Sequence, residues 1–145
     1  MSSFEHFVGT QAVPVSRSFD VQALSHWMSK NVAGFAGPLE VQMFKGGQSN
    51  PTYKLQTAQC SYVMRSKPAP AAKLLPSAHA IEREYRAMSS LAGTNVPVPR
   101  MYALCMDESV IGRAYYIMEC KEGRVLWTKR CLICSPRCAV KFMMQ

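Results

Sequence analysis

Apolar and polar residues alternate along this chain with two different periods, and the places where the period changes mark the elements. Residues 1–18 show no sustained period and read as a loosely attached arm. Asp20 then stands where a helix N-cap belongs, with Phe19 before it and Leu24 at the fourth helical position, the pattern of a hydrophobic staple. Leu24, Trp27 and Met28 share a face and Gly34 supplies a stop, so the spacing predicts a first helix over about Val21–Ala33. From Leu39 the period falls to two. "LEVQMF", "TYKLQT" and "SYVMRS" are short alternating segments separated by "KGGQSNP" and "AQC", which predicts an antiparallel meander. In the third of these strands, alternation places Val63, Arg65 and Lys67 on one face and Tyr62, Met64 and Ser66 on the other.

A Pro/Ala loop ends at Pro76, Ser77 offers a cap, and the helical period returns. Ile81, Glu84, Tyr85, Met88 and Leu91 recur at steps of three and four before Gly93, predicting a second helix from about Ala78 to Ala92. This buried stripe contains an acid, while Glu82, Arg83 and Arg86 fall on the outer face. Burying a lone carboxylate costs several kcal/mol unless it is paired, so Glu84 calls for a cation from the sheet, and Arg65 or Lys67 is in position. "MYALCM" and "AYYIMEC", joined by "DESVIG", read as a fourth and fifth strand, ending at Glu119 before the link "KEG". The sum is an α+β domain of about five antiparallel strands, one helix packed on them and an extra helix ahead.

Composition agrees with one globular domain: 145 residues, 48% hydrophobic and 18% charged. The formal charge of +8 invites a polyanion partner, but half of it comes from Lys129, Arg130, Arg137 and Lys141 after Trp127, where no acid occurs. A site for a phosphorylated small molecule fits the remaining balance as well as nucleic acid does, and a solvated mixed surface fits best. RNA binding through the basic tail is a third reading, and nucleic acid is not the expected partner. No window approaches the roughly 18 apolar residues of a membrane span, and no signal peptide pattern opens the chain, so a cytoplasmic protein without a membrane partner is expected. Cys60, Cys105 and Cys120 read as buried thiols. Cys131, Cys134 and Cys138 have metal-ligand spacing but are one ligand short of a closed site, so no metal is assigned. His6, His26 and His79 receive no chemistry.

The order of features is strand, Gly-rich turn, strand, strand with a base, helix with an inward acid, then two strands and an acidic link. The words "GGQSNPTYKL", "YVMRSKP", "LLPSAHAIEREYRAM", "VPVPRMYAL", "SVIGRAYYIME" and "EGRV" carry that order. Over about Leu39–Trp127 they resemble the aminoglycoside phosphotransferase and choline kinase-like superfamily. The branch they look most like comprises stand-alone bacterial phosphotransferases and domains fused ahead of an acyl-CoA dehydrogenase. The resemblance implies the smaller, N-terminal lobe of a protein-kinase-like fold. It also implies ATP with magnesium as cofactor and phosphoryl transfer to a small-molecule hydroxyl, of hydroxyacyl-CoA type and not an antibiotic. By the same resemblance, the turn Gly46, Gly47, Gln48, Ser49 and Asn50 covers the nucleotide phosphates. Arg65 takes the place of the family's phosphate-binding lysine, Lys67 shares its task, Glu84 is the helix acid, and Met118, Glu119 and Cys120 form the hinge that receives adenine. Arginine at that position keeps the charge but offers a planar fork. A turn of this composition taken alone is equally a plain hairpin.

In that superfamily a second lobe carries the catalytic loop and an aspartate for magnesium. This chain has two aspartates, Asp20 and Asp107, both ahead of where such a loop could start. No catalytic residue is therefore assigned, and the second lobe is expected to be missing. The chain divides into an arm at 1–18, a lobe at 19–127 and an aberrant basic, Cys/Met-rich tail at 128–145. The tail departs abruptly from the family's wording after "EGRVLW". Read with each codon displaced by one base, it permits "WDQALPDL" and "IYDA", so it is read as a frame-shifted end and the chain as truncated. The alternative to a phosphotransferase is a non-catalytic nucleotide-binding or interaction module.

Overall fold

The structure is a computed structural model that describes residues 8–46, 50–68 and 81–123. Nine segments build it. Strand β1 (Thr10–Gln11) leads through a single 3₁₀ turn (Val15–Arg17) to helix α1 (Val21–Asn31). Strands β2 (Glu40–Phe44), β3 (Thr52–Gln56) and β4 (Ser61–Ser66) follow, then helix α2 (Ile81–Leu91) and strands β5 (Met101–Cys105) and β6 (Tyr115–Glu119). All six strands join one antiparallel sheet in the order β1-β2-β3-β4-β6-β5.

α1 begins as its sequence requires: Asp20 Oδ1 accepts from the backbone N–H of Gln22 and Ala23 at 2.9 and 3.1 Å. It ends two residues before the expected point, ahead of Gly34, which has a φ of +78°. The expected sheet of about five antiparallel strands has six among the described residues. The segment read as a loose arm supplies Thr10 and Gln11, which pair with Phe44 and Met43, and Thr10 Oγ1 donates to Gln42 Oε1 at 2.7 Å. A strand of two residues is too short to show a period. The Pro76–Ser77 cap, the first residues of the second helix and the tail with Cys131, Cys134 and Cys138 lie outside the described residues.

Alternation in β4 and β6 sends side chains to two different layers. Behind the sheet, Tyr53, Leu55, Tyr62, Met64, Tyr115 and Ile117 pack on Leu24, Met28 and Val32 of α1 and the turn after it. Trp27 meets Tyr115 edge-on at 5.1 Å, and Phe19 meets Tyr53 perpendicularly at 5.2 Å. In front, Val63, Tyr116 and Met118 pack on Ile81, with Tyr85 and Met88 alongside. β6 is thus covered on both faces, which explains why its sequence reads as an unbroken apolar run. Leu91, expected on the buried stripe of α2, is exposed, because α2's contact with the front layer is made by the turns before it. Cys105 is buried and Cys120 half-buried, but Cys60, expected to be buried, is exposed beside the turn between β3 and β4. No helix among the described residues is long and apolar enough to cross a membrane.

Candidate functional site

The front layer places a base of β4 against the acid of α2. Arg65 follows Val63 on the face that receives α2, and Glu84 lies one helical turn after Ile81, the residue that anchors the helix to that face. Their side chains meet with Arg65 Nε 3.1 Å from Glu84 Oε2, at 13% and 34% exposure. The pair answers the demand that an inward carboxylate made on the sequence. Lys67, by contrast, does not reach Glu84: its Nζ is 4.0 Å from Glu82 Oε2, so a second, looser pair runs beside the first. Glu82, read as outward, is half-buried by that contact.

Two further groups hold the Glu84 carboxylate. Asn50 Nδ2 donates to Oε1 at 3.2 Å, and the Tyr116 hydroxyl donates to Oε2 at 3.0 Å. Burial pushes the Tyr116 phenol well above its ordinary value, and the adjacent Glu84 charge adds to that while Arg65 opposes it. The phenol keeps its proton and serves as a donor. Tyr116 escaped sequence reasoning, although a signal existed: it lies opposite Arg65 in the β4–β6 register, which places both on one face.

Of the turn predicted to cover phosphates, Gly46 is half-buried at the end of β2 and Asn50 is buried ahead of β3. Gly47, Gln48 and Ser49 lie outside the described residues. The predicted hinge is the end of β6. Met118 is buried in the front layer, and the Glu119 amide donates to the Arg100 carbonyl at 2.8 Å, so that amide is committed to the fold. Glu119 also accepts from Lys121 Nζ at 2.8 Å, and this hydrogen bond is the main reason its carboxyl lies below the usual range. Burial pushes the Cys120 thiol up, partly offset by Lys54. Turn end, paired base and strand end therefore border the same front face. What the arrangement offers is a fixed guanidinium, held from behind by a carboxylate and flanked by Lys67, able to meet an anion in front of the sheet.

Comparisons with known proteins cover the elements that form this face. The profile of the phosphotransferase enzyme family matches residues 40–137, which include every element from β2 to β6. A crystal structure from Ralstonia eutropha JMP134, described as an aminoglycoside phosphotransferase, superposes with a TM-score of 0.69 at 58% identity, covering 83% of this chain and 33% of that one. A probable acyl-CoA dehydrogenase, IBR3, of Arabidopsis thaliana is 44% identical over 115 residues, 74% of this chain and 14% of the plant protein. Acyl-CoA dehydrogenase family member 10 of Mus musculus is 53% identical over 87 residues, 60% of this chain and 8% of the mouse protein. The chain thus spans a small part of its curated relatives and a third of the solved structure. The resemblance read from the sequence words and the kinase-like lobe it implied are both borne out.

Proposed function

Because the chain belongs to the phosphotransferase enzyme family, we propose that it forms the nucleotide-binding lobe of a kinase that moves the γ-phosphoryl group of ATP to the hydroxyl of a small molecule. The observation that carries this is the pinned pair at the front of the sheet, Arg65 Nε to Glu84 Oε2 at 3.1 Å, with Asn50 and Tyr116 also on the carboxylate. Phosphoryl transfer asks little covalent chemistry of a protein and much positioning of charge. Arg65 would grip phosphate oxygens with its fork, Glu84 would keep the guanidinium from swinging into solvent, and the turn that opens at Gly46 would cover the phosphates, while the Asn50 side chain at its far end faces Glu84. The end of β6 at Met118 to Cys120 would meet the adenine edge. ATP, when bound, supplies the group transferred. Magnesium has no evident seat here: among the described residues no group of three or more His, Cys, Asp or Glu could hold an ion. The acceptor is proposed as a hydroxyacyl-CoA-type alcohol, since relatives of this segment occur within proteins named as acyl-CoA dehydrogenases.

Calorimetric titration of the chain with Mg·ATP tests the reading. Binding should be measurable, and Arg65→Ala should weaken it about tenfold or more, on the order of 1.4 kcal/mol. Arg65→Lys should fall between, and failure of the wild-type chain to bind would refute the nucleotide assignment. A second reading, binding without turnover, is favoured by the two aspartates, because each is engaged in a local turn. Asp20 caps α1, and Asp107 accepts from the Ser109 amide at 2.9 Å. Under that reading the chain binds Mg·ATP and transfers nothing to any alcohol.

A further inference from the structure

The resemblance places Asn50 over the nucleotide phosphates, but its side chain is turned the other way. Asn50 is 2% exposed, its Nδ2 is 3.2 Å from Glu84 Oε1, and its own carbonyl accepts from Thr52 Oγ1 at 3.3 Å. Its Oδ1 is buried and has no hydrogen-bond partner among the described residues. An amide that leaves its oxygen unpaired in order to present its nitrogen to a carboxylate has a fixed orientation, because the reverse orientation would set oxygen against oxygen. Glu84 therefore receives three groups from three separate segments: Asn50 ahead of β3, Arg65 from β4 and Tyr116 from β6. Among the described residues of α2, Ile81 is the one fully buried, with Tyr85 and Met88 partly buried against the same layer, so these three polar contacts add to a limited apolar hold.

We infer that Asn50 is a positioning residue: its amide braces Glu84, and through Glu84 it sets the placement of α2 and of the Arg65 guanidinium, without touching nucleotide itself. The part concerning Arg65 rests on the nucleotide reading above, whereas the bracing of α2 does not. Among the described residues, Arg65 from β4 and Tyr116 from β6 meet the Glu84 carboxylate, with Tyr85 against Tyr116 and the Lys67–Glu82 pair alongside. In Asn50→Asp a second carboxylate would enter this set at hydrogen-bond distance from the first. Two such groups cannot both ionise cheaply, so one proton becomes shared and can restore the contact as pH falls.

Amide exchange of the nucleotide-free chain provides the test, with β4 and β6 amides as an internal measure of folding. Asn50→Ala should speed exchange across α2 about tenfold while β4 and β6 keep their protection. Asn50→Asp should show the same loss at about pH 7.5 and recover toward the wild type measured alongside at about pH 5. Unchanged α2 exchange in Asn50→Ala would overturn the inference. If that variant loses the sheet as well, Asn50→Asp decides, and an α2 exchange ratio to wild type that is equal at both pH values overturns it. A titration with Mg·ATP separates the two proposals. Weakened binding in Asn50→Ala supports the link to Arg65, whereas absent binding in the wild type removes the nucleotide reading and leaves the exchange result to judge the brace.

Discussion

Glu84 illustrates how far a single residue can be read from its neighbours in sequence. Its place on the stripe with Ile81 and Met88 demanded a cation, and alternation in β4 offered Arg65 or Lys67; the structure selects Arg65 and gives Lys67 to Glu82. Tyr116 and Asn50 were not legible as partners of Glu84, because each reaches it across 32 or 34 residues of chain, a separation that only the strand order closes. Tyr116→Phe removes one donor while keeping the ring in the front layer. It should cost about 1–2 kcal/mol in urea unfolding, and a variant as stable as wild type would show that Arg65 and Asn50 satisfy Glu84 by themselves. Glu119 yields a pH prediction. Its carboxyl is depressed, chiefly by the Lys121 hydrogen bond, so it favours the folded state above its ordinary value of 4.5, and that share is lost as pH falls through the lower folded value. The contact is exposed and the effect small. Glu119→Gln should flatten the decline of thermal stability below about pH 4.5, and a curve parallel to wild type would contradict the assignment.

The elements were most legible where a chemical signal marks an end. Asp20 and Gly34 bracket α1 because a cap oxygen and a left-handed glycine are needed whatever packs on the helix. Asp20→Ala should therefore destabilise the chain by about 1 kcal/mol. Leu24→Ala should cost more, about 2–5 kcal/mol, since that side chain is fully buried against the back of the sheet. Both values can be read from denaturant midpoints at constant slope, and a larger loss at Asp20 than at Leu24 would mean that α1 is held by its cap and not by its packing. Legibility failed at Leu91 and at β1. Periodicity gives the face of a helix but not how far the neighbouring layer extends along it, and two paired residues have no period to read.

At the scale of the molecule, the sheet is a middle layer with α1 behind and α2 in front, which accounts for the reach of the sequence words that carry the family likeness. Where the structure describes them, they run over β3 to β6, α2 and the loops between, and at Arg65 and Glu84 composition is constrained by charge as well as by packing. Burial on both faces predicts a gradient of stability: amide exchange should be slowest in β6 and β4 and fastest in the two-residue edge strand β1. Exchange in β6 as fast as in β1 would contradict the layered packing. The strand order has a further consequence for biogenesis. β6 is the last of the described strands to be made, yet it sits between β4 and β5 in the sheet. Until Glu119 has cleared the ribosome, β4 presents an unpaired edge and β5 has no neighbouring strand. This domain therefore cannot be finished piecemeal during translation, and a nascent chain halted before Tyr115 would present chaperones with an open flank.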